Sequence, residues 1–231
     1  MIGNKMVDYS QFGEYTRFIK PMFGYFGTRN KMLLDIGASG RALSNSYNLM
    51  AEYGFGGVFI EPVNIERVQK EIIDVFPGRA SLDTRAVSLT TGTAQIHLHS
   101  IEEQHSLIST WYPPTATDKT LEVETVQISD LLAYWKIPTN IDFLTIDVEG
   151  IDADIVQEML AKSDCRPNVL LFEYLYLDTK KVDATISNLH SFGYTTMFKN
   201  NANIGFVFDG FGRELPDTAM RHVLSYDWGL L

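Results

Sequence analysis

A single cysteine, Cys165, occurs in 231 residues. That excludes an intrachain disulfide and leaves no thiolate set for zinc, so the composition points to a reducing compartment. Nowhere do about 18 apolar residues run together, as a membrane-spanning helix requires. The amino end, MIGNKMVDYSQFGEYTRFIK, lacks the apolar core of a secretory leader, and the expectation is a soluble, cytoplasmic protein. Basic residues are few: 19 Lys and Arg stand against 29 Asp and Glu, a net charge of -10. Duplex nucleic acid and anionic membranes need clustered positive charge, so neither is an expected partner. Repeats, low-complexity tracts and Pro/Ser-rich linkers are absent too. The chain reads as a single domain over 1–231, with a short helical extension over about 1–30 and an irregular insertion at about 100–120. Nothing in the composition speaks to oligomeric state.

What the chain does have is alternation. MLLDIG (32–37) is a short apolar strand, SNSYNLMAEYG (44–54) has helical spacing closed by glycine, and GVFIEP (57–62) is a second buried strand. NIERVQKEIIDVF (64–76) reads as a helix with Asn64 as its N-cap, and ASLDTRAVS (80–88) as a third strand. After the irregular middle, the strand IDFLTIDVEG (141–150), a helix at 152–162, the strand PNVLLFEYL (167–175), a helix ending at Gly193 and a closing pair of strands follow. This order predicts an α/β fold: a doubly wound, mostly parallel seven-stranded sheet with helices on both faces.

Ligands of such sheets bind beside the carboxyl ends of the strands, so each end is a candidate site. The first is DIGASG: Asp35, then Gly37, Ala38 and Gly40, where missing side chains admit close backbone approach and the next helix offers free amides. The second strand ends at Glu61, placed 26 residues after Asp35 to accept both hydroxyls of a ribose, or else a plain strand-terminal acid. Asp83, near the end of the third strand, is either a contact for an adenine amino group or a turn aspartate. On the fourth, Asp147 and Glu149 share one face, about 6–7 Å apart, if the strand persists that far; otherwise Glu149 lies beyond it and favours the following helix through its dipole. Paired carboxylates suit acid–base work. Glu173, inside the apolar LLFEYL, calls for a partner or a function. His105 is a further candidate base. His97 and His99 alternate on a strand without a third ligand, so no metal is expected.

In order and spacing, LDIGASG, IEP, AVSLTTG, IDFLTIDVEG and NVLLFEY, with YSQFGE (9–14) near the start, resemble the FkbM-like methyltransferases, which use S-adenosylmethionine. The resemblance covers roughly residues 9–208. It implies a Rossmann-like methyltransferase fold and methyl transfer to a hydroxyl of a sugar, glycan or secondary metabolite. It places Asp35, Gly37 and Gly40 in the cofactor loop, Glu61 at the ribose, and Asp147 and Glu149 facing the reactive end of the cofactor. Only Ser39 separates Ala38 from Gly40, one residue fewer than family members commonly have, and Thr145 stands where many carry lysine. Two rivals keep the same sheet. A nicotinamide-dependent oxidoreductase or nucleotide-sugar enzyme wants Gly-x-Gly-x-x-Gly, and here the first glycine position is Asp35. A non-catalytic cofactor-binding module needs only the fold.

Overall fold

A computed structural model describes residues 7–99, 105–107, 116–175 and 177–211. From sequence, WYPP (111–114) is expected to be a substrate wall or a loop packed on the core, and the stretch from Arg213 to shape the pocket or an oligomer contact; both lie outside these residues.

In chain order the elements are a π-helical turn (Tyr15–Ile19), α1 (Lys20–Phe26), β1 (Met32–Ile36), α2 (Tyr47–Tyr53), β2 (Gly56–Ile60) and α3 (Ile65–Val68), which runs into a second π-helical turn (Gln69–Ile73). There follow β3 (Ala80–Asp83), β4 (Ala86–Val87), β5 (Gly92–His99), β6 (Ala116–Val126), α4 (Ile128–Tyr134), β7 (Phe143–Ile146), α5 (Asp152–Lys162), β8 (Val169–Glu173), α6 (Thr179–Ser191), β9 (Tyr194–Lys199) and β10 (Asn203–Phe208).

Seven strands form one sheet in the order β3-β2-β1-β7-β8-β10-β9, parallel from β3 to β8, with β10 antiparallel to both of its neighbours. Period-2 alternation sends apolar side chains to two helical layers. Leu34, Ile36, Leu144 and Phe172 pack with Leu131, Ile155, Met159 and Leu189 of α4, α5 and α6. Leu33, Phe59, Phe143 and Leu171 pack on the other face with Phe18, Met22, Leu49 and Val68. The doubly wound expectation holds.

Two buried carboxylates pin this frame. Asp142, just before β7, accepts the backbone N–H groups of Arg29 (2.8 Å), Asn30 (3.0 Å) and Lys31 (2.7 Å), and the Asn168 amide Nδ2 (2.7 Å). It thereby levels the starts of β1, β7 and β8, so their far ends come out together. Glu14, with no exposed surface, accepts from Phe12 N (2.7 Å), Asn200 Nδ2 (2.7 Å) and Asn203 Nδ2 (2.9 Å), fastening the YSQFGE segment to the β9–β10 hairpin.

Two expectations change. The strand expected over 80–88 is broken at Thr84–Arg85: β3 stays in the main sheet, whereas β4 pairs in parallel with β6 in a second sheet, order β4-β6-β5. The break follows from Asp83, whose carboxylate turns back to the Arg85 backbone N–H (3.0 Å) and guanidinium (2.6 and 2.9 Å). The strand expected over 141–150 ends at Ile146. Glu149 has φ +61°, a left-handed conformation incompatible with a strand.

Candidate active site

The carboxyl ends of β1, β2 and β7 open onto a cleft of about 580 Å³, counting the solvent-open space at its mouth. Its wall is partly apolar, from Ile60, Val87, Ile96 and Leu107, and ends at Glu61, His105, Asp147 and Glu149. The second sheet, unforeseen from the sequence as a separate layer, supplies Val87 and Ile96. Beside it lies a polar recess lined by Asp35, Ser44, Asn45, Thr145, Asp147 and Glu149, and the two share Gly37, Ser39, Asp147 and Glu149 as walls. Among the described residues the recess lining has no lysine or arginine.

Gly37 is needed here before any ligand arrives. Its N–H donates to the Ile60 carbonyl (2.9 Å), its φ is +87°, and a Cβ at this position would sit 1.7 Å from the Asp147 carbonyl oxygen. The close backbone approach anticipated at the glycine turn is therefore to the end of β7. Gly40 also has positive φ (+108°), but a Cβ there meets side-chain atoms of Glu71 and Arg67, which can swing away. Ala38 is buried against the core beside α2 and α3 and donates its N–H to Ile60 as well.

Glu61 is 7 % exposed and divides its carboxylate. Oε1 accepts the backbone N–H groups of Val63 (2.8 Å) and Asn64 (2.6 Å), which shape the turn after β2, and among the described residues no other group donates to Glu61. Burial pushes its pKa up, against the two backbone hydrogen bonds. Asp83 is engaged elsewhere: besides Arg85 it accepts from Trp135 Nε1 (2.7 Å), and it does not line the cleft.

Asp147, Glu149 and Glu173 come together although strand periodicity does not bring them there. One carboxylate oxygen of each lies within 4.8 Å of the others. The turn carrying Glu149 is clamped by Asp152, fully buried, which accepts the Val148 N–H (2.8 Å) and the Gly150 N–H (3.0 Å). The Ser106 hydroxyl donates to the Glu149 carbonyl (2.6 Å), tying the second sheet's edge to the same turn. Burial and mutual repulsion push all three carboxyl groups above the usual carboxylate range. Asp35 is raised to about 7, mainly by burial. His105 lines the cleft, but its Nδ1 accepts the His99 N–H (3.0 Å), so the neutral ring presents Nε2–H, a donor rather than a base. His97 and His99 do not join the carboxylate group among the described residues.

Asn45, Ser44 and Asp152 were not legible as site residues, and Thr145 was legible only as the residue standing where many family members carry lysine. Their signal is faint: polar residues in SNSYN before a helix, and an acid three residues beyond Glu149. Asn45 is buried, and its Nδ2 donates to Thr145 Oγ1 (3.4 Å), while its Oδ1 receives no hydrogen bond from a described residue.

Sheet order and acidic strand ends together define a Rossmann-like methyltransferase architecture. The model of the methyltransferase FkbM domain matches residues 35–196, and the chain belongs to that family. No curated protein matches it. A crystal structure of PH1948 from Pyrococcus horikoshii, provisionally named an RNA methyltransferase, is similar over 83% of this chain and 80% of that one, with 9% identity and a TM-score of 0.44. Among the described residues no helix is long and apolar enough to cross a membrane.

Proposed function

We propose that this methyltransferase uses S-adenosylmethionine and transfers its methyl group to a hydroxyl oxygen of a sugar, glycan or secondary metabolite. The observation that carries the reading is the make-up of the two joined recesses. An apolar slot ends at a carboxylate with an oxygen to spare, and a polar recess holds Asp35, Asp147 and Glu149 with no basic side chain among the described residues. A purine, a ribose diol and an ammonium group in one molecule match those parts in sequence. Glu61 would accept from the ribose through Oε2 while Oε1 keeps the turn. Asn45 Oδ1, an acceptor without a described donor, would meet the ammonium group.

When bound, S-adenosylmethionine supplies a methyl carbon on a positively charged sulfur. The chain then has two tasks, alignment and proton removal. The acceptor oxygen must approach the methyl carbon opposite the sulfur, and its proton must leave as the new C–O bond forms. Asp147 and Glu149, on the wall common to both recesses, would take that proton, and Glu173 lies beside them. Their raised affinity for protons makes them stronger bases once ionised, and a nearby cationic cofactor favours ionisation.

The test is calorimetric titration with S-adenosylhomocysteine, with NAD in parallel, on wild type, Glu61→Gln and Glu61→Ala. Glutamine keeps an acceptor for the turn amides but replaces the second oxygen by a donor. Loss of charged hydrogen bonds of about 1.5–3 kcal/mol predicts roughly 10- to 150-fold weaker binding in Glu61→Gln with an unchanged melting temperature. Undiminished binding in that variant removes Glu61 from the ribose site, and binding of NAD alone replaces the methyltransferase reading with the oxidoreductase one.

A further inference from the structure

Glu173 terminates β8, whose other four residues are apolar, and is itself only 4 % exposed. Its Oε2 receives no hydrogen bond from any described residue, and the same is true of the buried Oε2 of Glu149. An acid so placed stays costly unless something positive or proton-bearing faces it. Its described surroundings are acidic: Asp147, Glu149 and Asp152 act on Glu173, and Asp35 and Glu14 on Asp147, so without a cation the group holds together only by carboxyl–carboxyl hydrogen bonds of Glu173 with Glu149 and Asp147. Three ligand atoms drawn from two adjacent strand ends and a clamped turn lie within 4.8 Å of one another. Oxygens about a magnesium-sized ion, bound at about 2.0–2.1 Å, stand roughly 3–4 Å apart, so small side-chain adjustments complete such a set.

We propose that Asp147, Glu149 and Glu173 form a binding site for one hard divalent cation, Mg²⁺ or Mn²⁺. An all-oxygen set excludes preference for soft metals, and three protein ligands leave about three octahedral positions for water or substrate oxygen. Asp147 and Glu149 are half-buried and border the cleft, so those positions face the side from which an acceptor enters. Each carboxylate gives the ion one oxygen and keeps the other, which preserves a proton acceptor next to a metal-held hydroxyl. Where the ion binds is independent of the methyl-transfer reading; only its use in orienting an acceptor hydroxyl rests on it.

The experiment is titration of the full chain, stripped with chelator, with Mn²⁺, free Mn²⁺ being followed by electron paramagnetic resonance, for wild type and Glu173→Gln. One saturable ion per chain is expected, displaced by excess Mg²⁺, with affinity at least about tenfold weaker in the variant, whose helical circular dichroism is retained. If Glu173→Gln does not fold, Glu149→Gln, on the turn outside the sheet, makes the same comparison. No saturable site up to millimolar Mn²⁺, or equal affinity in wild type and folded variant, overturns the proposal. S-adenosylhomocysteine titration of the same stripped protein separates the two readings: cofactor binding without Mn²⁺ binding refutes the cation site alone, and Mn²⁺ binding without cofactor binding refutes the cofactor reading alone.

Discussion

Replacing Gly37 by alanine tests whether the glycine turn serves the protein's own backbone. The positive φ of +87° costs a Cβ-bearing residue about 1–2 kcal/mol. The new methyl would lie 1.7 Å from the Asp147 carbonyl oxygen, half an ordinary contact distance, so the ends of β1 and β7 must separate. That parting strains the Gly37 N–H to Ile60 bond (2.9 Å) and the Asp147 N–H to Ile36 bond (2.8 Å), each worth about 1 kcal/mol, and adds overpacking of about 1–3 kcal/mol. The sum is roughly 5 kcal/mol, or about 10–20 °C in melting temperature for a chain of this size. Gly40→Ala, with φ +108° but only movable side-chain atoms of Glu71 and Arg67 in the way, carries little beyond the backbone term, about 3–8 °C. The assay is thermal unfolding of both variants without ligand. Similar melting temperatures for the two would refute the claim that Asp147, rather than a cofactor, imposes the first glycine.

Two further outcomes are expected. The Asp35 carboxyl, raised to about 7 by burial, binds its proton more tightly folded than unfolded, so its stabilising effect is complete below about pH 4 and is lost as pH rises through about 7. The ligand-free melting temperature therefore falls between pH 5 and pH 8, and Asp35→Asn flattens that fall; equal slopes would refute the assignment. Asp152→Asn replaces one of the two oxygens that hold the Val148 and Gly150 N–H groups with a donor, and so frees the Glu149 turn. Its signature is a lower kcat at nearly unchanged S-adenosylhomocysteine affinity, and a proportional loss of cofactor affinity would contradict it.

Local patterning was enough to read the parallel sheet, because Leu33 to Ile36, Val58 to Ile60 and Leu144 to Ile146 are short apolar runs separated by helical spacing, and each such run is buried on both faces. Strand ends were harder. Whether a strand continues past Ile146 depends on Asp152 four residues beyond Val148, and whether one breaks after Asp83 depends on Arg85 and on Trp135, distant in sequence. Asp35, Glu61, Asp147 and Glu149 could be picked as candidates because they stand at strand ends, and all four line the two recesses. Asn45 stayed hidden because its site role arises from facing Thr145 across one hundred positions. Glu173 was noticed as an anomaly, but its company was not, since only the left-handed turn at Glu149 brings that side chain back toward β8.

The Glu14 clamp bears on the order of events during synthesis. Gln11, on the recess wall, belongs to a segment made before the rest of the described fold, yet Glu14, which fastens that segment, takes its side-chain donors from Asn200 and from Asn203, 189 positions later. A nascent chain ending before the β9–β10 hairpin holds its amino-terminal wall through Tyr9 N–H to Asn48 Oδ1 (3.1 Å), Asn48 Nδ2 to the Val7 carbonyl (2.9 Å) and the Tyr9–Tyr47 ring contact, but without the asparagine donors that fasten Glu14. Complete fastening of the recess wall thus waits until residues 200–203 have been made, long after the strands whose ends form the cleft.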